Sequence, residues 1–254
     1  MELHYHRTGH GPTLLILHGL FGTWENWGFQ VKKLSEKFDI IAADLRNHGS
    51  SPHHDNISYH LMAEDVIELM DRLGVEQASI LGHSMGGKVA MQLALDHPQR
   101  VEKLIVADIA PVEYPPHHED VFAGLLDVDL DAVTSRAEAD QQLARHIDSA
   151  GVRAFLLKNL QRGKQGGFDW KMNVAALHNE YRHIAAAPAE GQYPGPVLFI
   201  KGGDSDYLLP EHADAIKSRF PNAGYKVIEG VGHWLHAEKP AAFNRLVERF
   251  LTED

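Results

Sequence analysis

The 254-residue chain contains no cysteine, which removes disulfides, Cys-ligated zinc, iron–sulfur clusters and a thiol nucleophile together. Any chemistry has to run on oxygen and nitrogen groups. Positive charge is scarce as well: 24 Lys and Arg stand against 35 Asp and Glu, a net charge of −11, and that balance works against nucleic acid and anionic lipid as partners. No apolar run approaches the roughly 18 residues of a membrane span. The segment 1–7, MELHYHR, lacks the apolar centre of a signal peptide, so a cytoplasmic protein without membrane partners is expected. Glycine-rich phosphate cradles are missing too, since neither G-x-G-x-x-G nor the Walker pattern follows any apolar run. What remains is an ordinary globular composition, 44% hydrophobic and 23% charged, at a length that allows one large α/β domain or a domain with an insertion. Histidine is abundant: protonating all 18 would carry the formal charge from −11 to +7, so solubility is expected to change in mild acid.

Short apolar runs alternate with longer stretches of helical spacing, the pattern of an α/β protein with a mostly parallel sheet flanked by helices. Strands are expected at 13–17, 38–42, 77–81, 103–108, 196–201 and 225–228, with 2–7 as an edge strand. Continuous apolar runs such as Val197-Leu198-Phe199-Ile200 suit strands covered on both faces. Helices are expected at 58–73, 85–97, 211–220 and 241–251, the first with Ser58 as N-cap and Gly74 as its stop. Between Pro111 and Gly191 the alternation ceases. Some eighty residues there carry only helical patterns, too long for one structureless loop. The expected organisation is therefore a core of 1–110 and 191–254 interrupted by a helical cap at 111–190.

The run Ser79-Ile80-Leu81-Gly82-His83-Ser84-Met85-Gly86-Gly87 leads from an apolar strand into a helical stretch and carries G-x-S-x-G. Small residues flank Ser84 because a strand that reverses sharply into a helix leaves no room for side chains beside the serine, and the turn lifts the hydroxyl clear of the sheet. A serine hydroxyl needs a base in reach and donors for the oxyanion formed on attack. Met85, at the helix start, offers one backbone N–H. The loop His18-Gly19-Leu20-Phe21-Gly22 after the first long strand offers a second at Leu20, with His18 itself a structural residue.

His233 follows the last strand on a loop loosened by Gly230 and Gly232 and is the expected general base, in preference to His236 three residues on. The acid has more than one candidate. Asp108 ends an apolar strand, where burial beside an imidazole is natural, and is favoured; Asp204 and Asp206 lie after the next strand. Ser205, three residues past Gly202, cannot balance an imidazolium but can hydrogen-bond to the acid or the ring. Phe21, Phe155, Tyr207 and Trp234 are expected to line an apolar substrate site.

These motifs, with Asp44-Leu45-Arg46-Asn47-His48-Gly49, Asp108-Ile109-Ala110-Pro111-Val112 and Gly232-His233-Trp234-Leu235-His236, resemble the α/β-hydrolase superfamily over essentially the whole chain, and within it the small YbfF-type bacterial esterases. The resemblance implies a hydrolase of carboxylic esters or thioesters working through an acyl-serine without cofactor. It implies Ser84, Asp108 and His233 as the triad, in the chain order serine, acid, histidine, with Ser205 beside the acid and a helical cap over the site. Fold and triad do not fix the electrophile, so carbon–carbon or peroxide chemistry on the same residues, or a ligand-binding receptor with little turnover, are the rival expectations. The cluster of Asp44, Arg46 and His48 is read as a loop held by an Asp–Arg pair and a glycine turn. The pairs His53-His54 and His117-His118 are not read as metal ligands, because adjacent side chains seldom aim at one ion.

Overall fold

Residues 14–17 of the second strand and all six of the fourth are buried, so side chains on both faces of the sheet need cover, and only flanking helices can supply it. The computed structural model, which describes residues 1–163 and 166–253, meets that need with β1 (Tyr5–Gly9), β2 (Thr13–Leu17), α1 (Gly28–Leu34), β3 (Asp39–Ala43), α2 (Tyr59–Arg72), β4 (Ala78–His83), α3 (Met85–Asp96) and β5 (Val101–Ala107). An excursion follows: α4 (Glu119–Asp127), α5 (Arg136–Leu143), α6 (Ala150–Leu157), β6 (Leu160–Arg162), β7 (Phe168–Trp170), α7 (Val174–Asn179) and α8 (Tyr181–Ala185). The chain then returns through β8 (Val197–Gly202), α9 (Ala213–Arg219), β9 (Ala223–Ile228), α10 (Leu235–Glu238) and α11 (Pro240–Thr252). No helix among the described residues is long and apolar enough to cross a membrane.

The main sheet runs β1-β3-β2-β4-β5-β8-β9, with β1 antiparallel and every other neighbour parallel. Registers such as Leu17 opposite Gly82, and Ala107 opposite both His83 and Ile200, align the carboxyl ends of β2, β4, β5 and β8. Whatever follows those ends is gathered at one edge, where open α/β sheets place their ligands.

Several boundaries differ from those read in the sequence, for reasons that lie in the partner. The edge strand is shifted from 2–7 to Tyr5–Gly9 because it must match Ala43 to Asp39 across an antiparallel ladder, while Leu3 turns into the core. The stretch 211–220 divides into a short 3-10 turn, Pro210–His212, and α9. The excursion is not wholly helical: β6 and β7 pair, with Leu160 opposite Trp170, and bury Leu160 and Phe168. Helix α2 keeps its expected ends, with Ser58 Oγ accepting the Leu61 N–H at 3.2 Å and Gly74 following at φ +67°.

Buried polar contacts fasten the excursion to the core. Lys88, on α3 and 2% exposed, donates to the carbonyls of Ala185 at 3.0 Å and Ala186 at 2.6 Å, satisfying the free end of α8, and Tyr59 donates to the carbonyl of Ile184. The Asp44 loop is structural, but not through an Asp–Arg pair of its own. Asp44 accepts the N–H groups of Trp24 and Ser50 at 2.8 and 2.9 Å. Arg46 reaches instead to Asp65 of α2, by two bonds of 2.6 and 2.9 Å, a fork-on-carboxylate contact that no local spacing reveals.

Candidate active site

Ser84 occupies the corner between β4 and α3 with φ +53° and ψ −122°, a conformation costly for any residue with a side chain. The neighbours make the corner possible. A β-carbon on Gly82 would sit 2.1 Å from the Gly86 carbonyl oxygen, and one on Gly86 would sit 2.4 Å from that of His18. Ser84 N–H bonds to the Ala107 carbonyl at 3.0 Å, tying the corner to β5.

The His233 ring lies between Ser84 and Asp108: Nε2 is 3.0 Å from Ser84 Oγ and Nδ1 is 2.7 Å from Asp108 Oδ2. Asp108 is fully buried at the end of β5. Its Oδ1 accepts the Gly202 N–H at 2.9 Å, and its Oδ2 also accepts from the Ser205 hydroxyl. A carboxylate can only accept, so Nδ1 carries the ring proton and Nε2 presents a lone pair to the serine. Asp204 and Asp206 are exposed and touch neither the ring nor the serine through a hydrogen bond. The loop after β8 thus supplies Ser205, not the carboxylate.

His236 has no hydrogen bond to the serine and is stacked on Trp27 at 4.4 Å between ring centres. A contact not foreseen from sequence comes from His83, the variable residue of the motif, whose Nε2 donates to the His233 carbonyl at 2.8 Å and so anchors the backbone that carries the ring. Its only signal in the sequence is its place next to Ser84.

Burial drives several of these imidazoles to their neutral form. It pushes the pKa of His18 down to about 4, and those of His48 and His236 down to about 3; His83 is lowered well below its ordinary value, by burial first and by His236 and His233 next. An unfolded histidine titrates near 6.5. As the pH falls from about 6.5 to about 4, the unfolded chain takes up protons that these buried rings refuse. Their stabilisation is whole above about pH 6.5 and is lost below it, by up to about 1.4 kcal/mol per pH unit for each ring. Calorimetric melting from neutral pH down to about pH 4 is expected to show a steep fall in Tm, flattened in His236→Phe, which keeps a ring against Trp27. A Tm independent of pH across that window contradicts this account.

Beside Ser84 opens a cavity of about 280 Å³, and all four expected lining residues, Phe21, Phe155, Tyr207 and Trp234, border it. Trp234, 37% exposed, faces Phe155 of α6 at 5.8 Å between ring centres. Tyr207 stacks on the His233 ring at 3.9 Å. His117 and His118, not read as metal ligands, have no other role assigned from sequence. They join the wall, hydrogen-bonded at 2.5 Å to the hydroxyls of Tyr207 and Tyr181. Among the described residues no group of three His, Asp or Glu side chains converges to hold a metal ion. A smaller compartment of about 30 Å³ also reaches Ser84, next to Leu20, Met85 and Lys88. The Met85 N–H has no intrahelical acceptor, being first in α3, and the Leu20 N–H has no hydrogen-bond partner among the described residues.

A hydroxyl on a neutral imidazole on a buried carboxylate can pass a proton from oxygen to nitrogen and hold the resulting charge. The chain that carries it belongs to the α/β-hydrolase fold family, whose profile matches residues 12–240. Its sheet, mostly parallel and flanked by helices, is that fold. Among particular relatives, it is 37% identical over 241 residues to esterase YbfF of Escherichia coli (strain K12), covering 94% of this chain and 93% of that protein. It is 41% identical over 244 residues to a putative esterase/lipase of Haemophilus influenzae, covering 96% and 84%. The solved structure of a marine microorganism esterase matches it with a TM-score of 0.95 at 40% identity, over 98% of this chain and 99% of that one.

Proposed function

We propose that the protein is a serine hydrolase that cleaves carboxylic esters or thioesters with short to medium acyl groups through an acyl-enzyme. The observation that carries this reading is the line Ser84–His233–Asp108, at 3.0 and 2.7 Å, opening on an apolar-walled cavity. His233 Nε2 takes the Ser84 proton as the hydroxyl attacks the carbonyl, and Asp108 stabilises the imidazolium that results. The Leu20 and Met85 N–H groups receive the oxyanion. His233 then gives its proton to the departing alcohol or thiol, and water deprotonated by the same nitrogen releases the acid. Names of relatives that include esterase and esterase/lipase support the same class of substrate. The net charge of −11 supports small molecules over nucleic acid as partners.

Two measurements test it. A fluorophosphonate probe is expected to label Ser84 rapidly, as an activated nucleophile requires. A series of aryl esters and acyl thioesters of increasing chain length is expected to give kcat/KM values that rise to medium chains and then fall as the cavity fills. No labelling and no turnover of any member would make this a binding protein. Turnover confined to diketones or peroxide chemistry would keep the triad and discard the ester assignment.

A further inference from the structure

The loop between β2 and α1 holds three consecutive peptide groups by hydrogen bonds, and among the described residues it leaves without a partner the Leu20 N–H that the proposed mechanism requires. The carbonyl of Gly19 accepts two hydrogen bonds, from His18 Nδ1 at 2.8 Å and from the Gly22 N–H at 3.0 Å. No peptide bond among the described residues is cis, and in a planar trans peptide the N–H points opposite to the C=O, so fixing the Gly19 oxygen fixes the direction of the Leu20 N–H. The next peptide is held by its other end: the Phe21 N–H donates to His48 Nε2 at 3.2 Å. The third is held from across the molecule, where Asn159 Nδ2 donates to the Phe21 carbonyl at 2.7 Å.

Phe21 needs such restraint, because it sits at φ +61°, a region that residues with side chains leave readily unless the surroundings hold them. The two restraints come from different parts of the chain. His48 belongs to the loop after β3, and its Nδ1 donates to the Arg46 carbonyl at 2.9 Å, which leaves Nε2 as the acceptor. Asn159 belongs to the excursion, between α6 and β6. It is 2% exposed, and its Oδ1 has no partner, a standing cost that a residue serving only to fill space would avoid.

We infer that Asn159 and His48 are positioning residues that clamp Phe21 from its two sides and so preset the Leu20 N–H as an oxyanion donor. The cap therefore takes part in the chemistry as well as covering the cavity: a displacement of the α6–β6 junction would release the Phe21 carbonyl and loosen the donor next to it. This rests on the assignment of Leu20 to the oxyanion hole made above.

The test uses Asn159→Leu, which removes the donor and the orphaned acceptor at similar volume, in the full chain. Asn159→Ala reads the same quantity if leucine proves too large to fold. Loss of a whole oxyanion donor costs about 100- to 1,000-fold in kcat, and a loosened one is expected to cost about 10- to 100-fold with KM nearly unchanged. Inhibition by an aryl trifluoromethyl ketone, whose adduct carries the oxyanion, is expected to weaken by the same factor. Binding of the matching alkyl ether, which has no oxyanion, is expected to hold. His48→Gln, which keeps an acceptor, is expected to retain kcat where His48→Leu loses it. Wild-type kcat in the Asn159 variants overturns the inference, and so does equal weakening of ketone and ether, the mark of general disorder. Wild-type protein that neither turns over esters nor labels at Ser84 would instead defeat the parent assignment.

Discussion

Ser84→Ala is expected to lose at least about 10,000-fold in kcat while melting within a few degrees of the parent protein. The size follows from what the oxygen does. Among the described residues it is the hydrogen-bond partner of His233 Nε2, at 3.0 Å, and without it no covalent intermediate forms, which leaves only binding and the two backbone donors to act on water. The fold should not notice. Ser84 is partly exposed at the cavity, its hydroxyl bonds among the described residues only to His233, and alanine meets the same backbone cost at φ +53° that serine already bears. Steady-state kinetics on purified variant, beside calorimetry, decide the matter. Substantial ester turnover in a protein free of parent contamination would mean that another group attacks.

Asp108→Asn is expected to cost about 10,000-fold in kcat, equivalent to about 5.5 kcal/mol of transition-state stabilisation. The carboxylate accepts from Nδ1–H, from Ser205 and from the Gly202 N–H. A carboxamide can keep the Gly202 bond with its oxygen, and its NH2 then faces the ring. The imidazole must shift its proton to Nε2, where it confronts the serine and cannot accept. The negative charge that would balance the imidazolium is lost at the same time, in a site with no water-exposed surface on the acid. Asp204→Asn and Asp206→Asn are expected to stay within a few-fold of the parent, since both side chains are exposed and hydrogen-bonded to neither partner. A larger loss at either of them than at Asp108 would move the acid to the β8 loop.

Much of this was legible from local pattern. The corner at Ser84 announces itself because steric exclusion acts between neighbours in the chain: Gly82 and Gly86 are required within two residues of the serine. The core strands were legible because burial on both faces demands continuous apolar runs. The acid stayed open between Asp108 and the Asp204–Asp206 pair because strand ends from β5 and β8 lie side by side at one sheet edge, and sequence spacing cannot say which aims a carboxylate at the histidine. Contacts at long range left no trace at all. The partner of Arg46 is 19 residues away, on another element, and the grip of Asn159 on Phe21 spans 138 residues.

The sequence by itself determined the class of fold and the strained corner at Ser84, since those depend on periodicity and on clashes between atoms a few bonds apart. Tertiary structure decided which carboxylate meets the imidazole, how the tautomer is set, what walls the cavity and which groups orient the loop of Leu20. Hydrogen bonds act over about 3 Å, and only a folded sheet brings residues so distant along the chain within that reach.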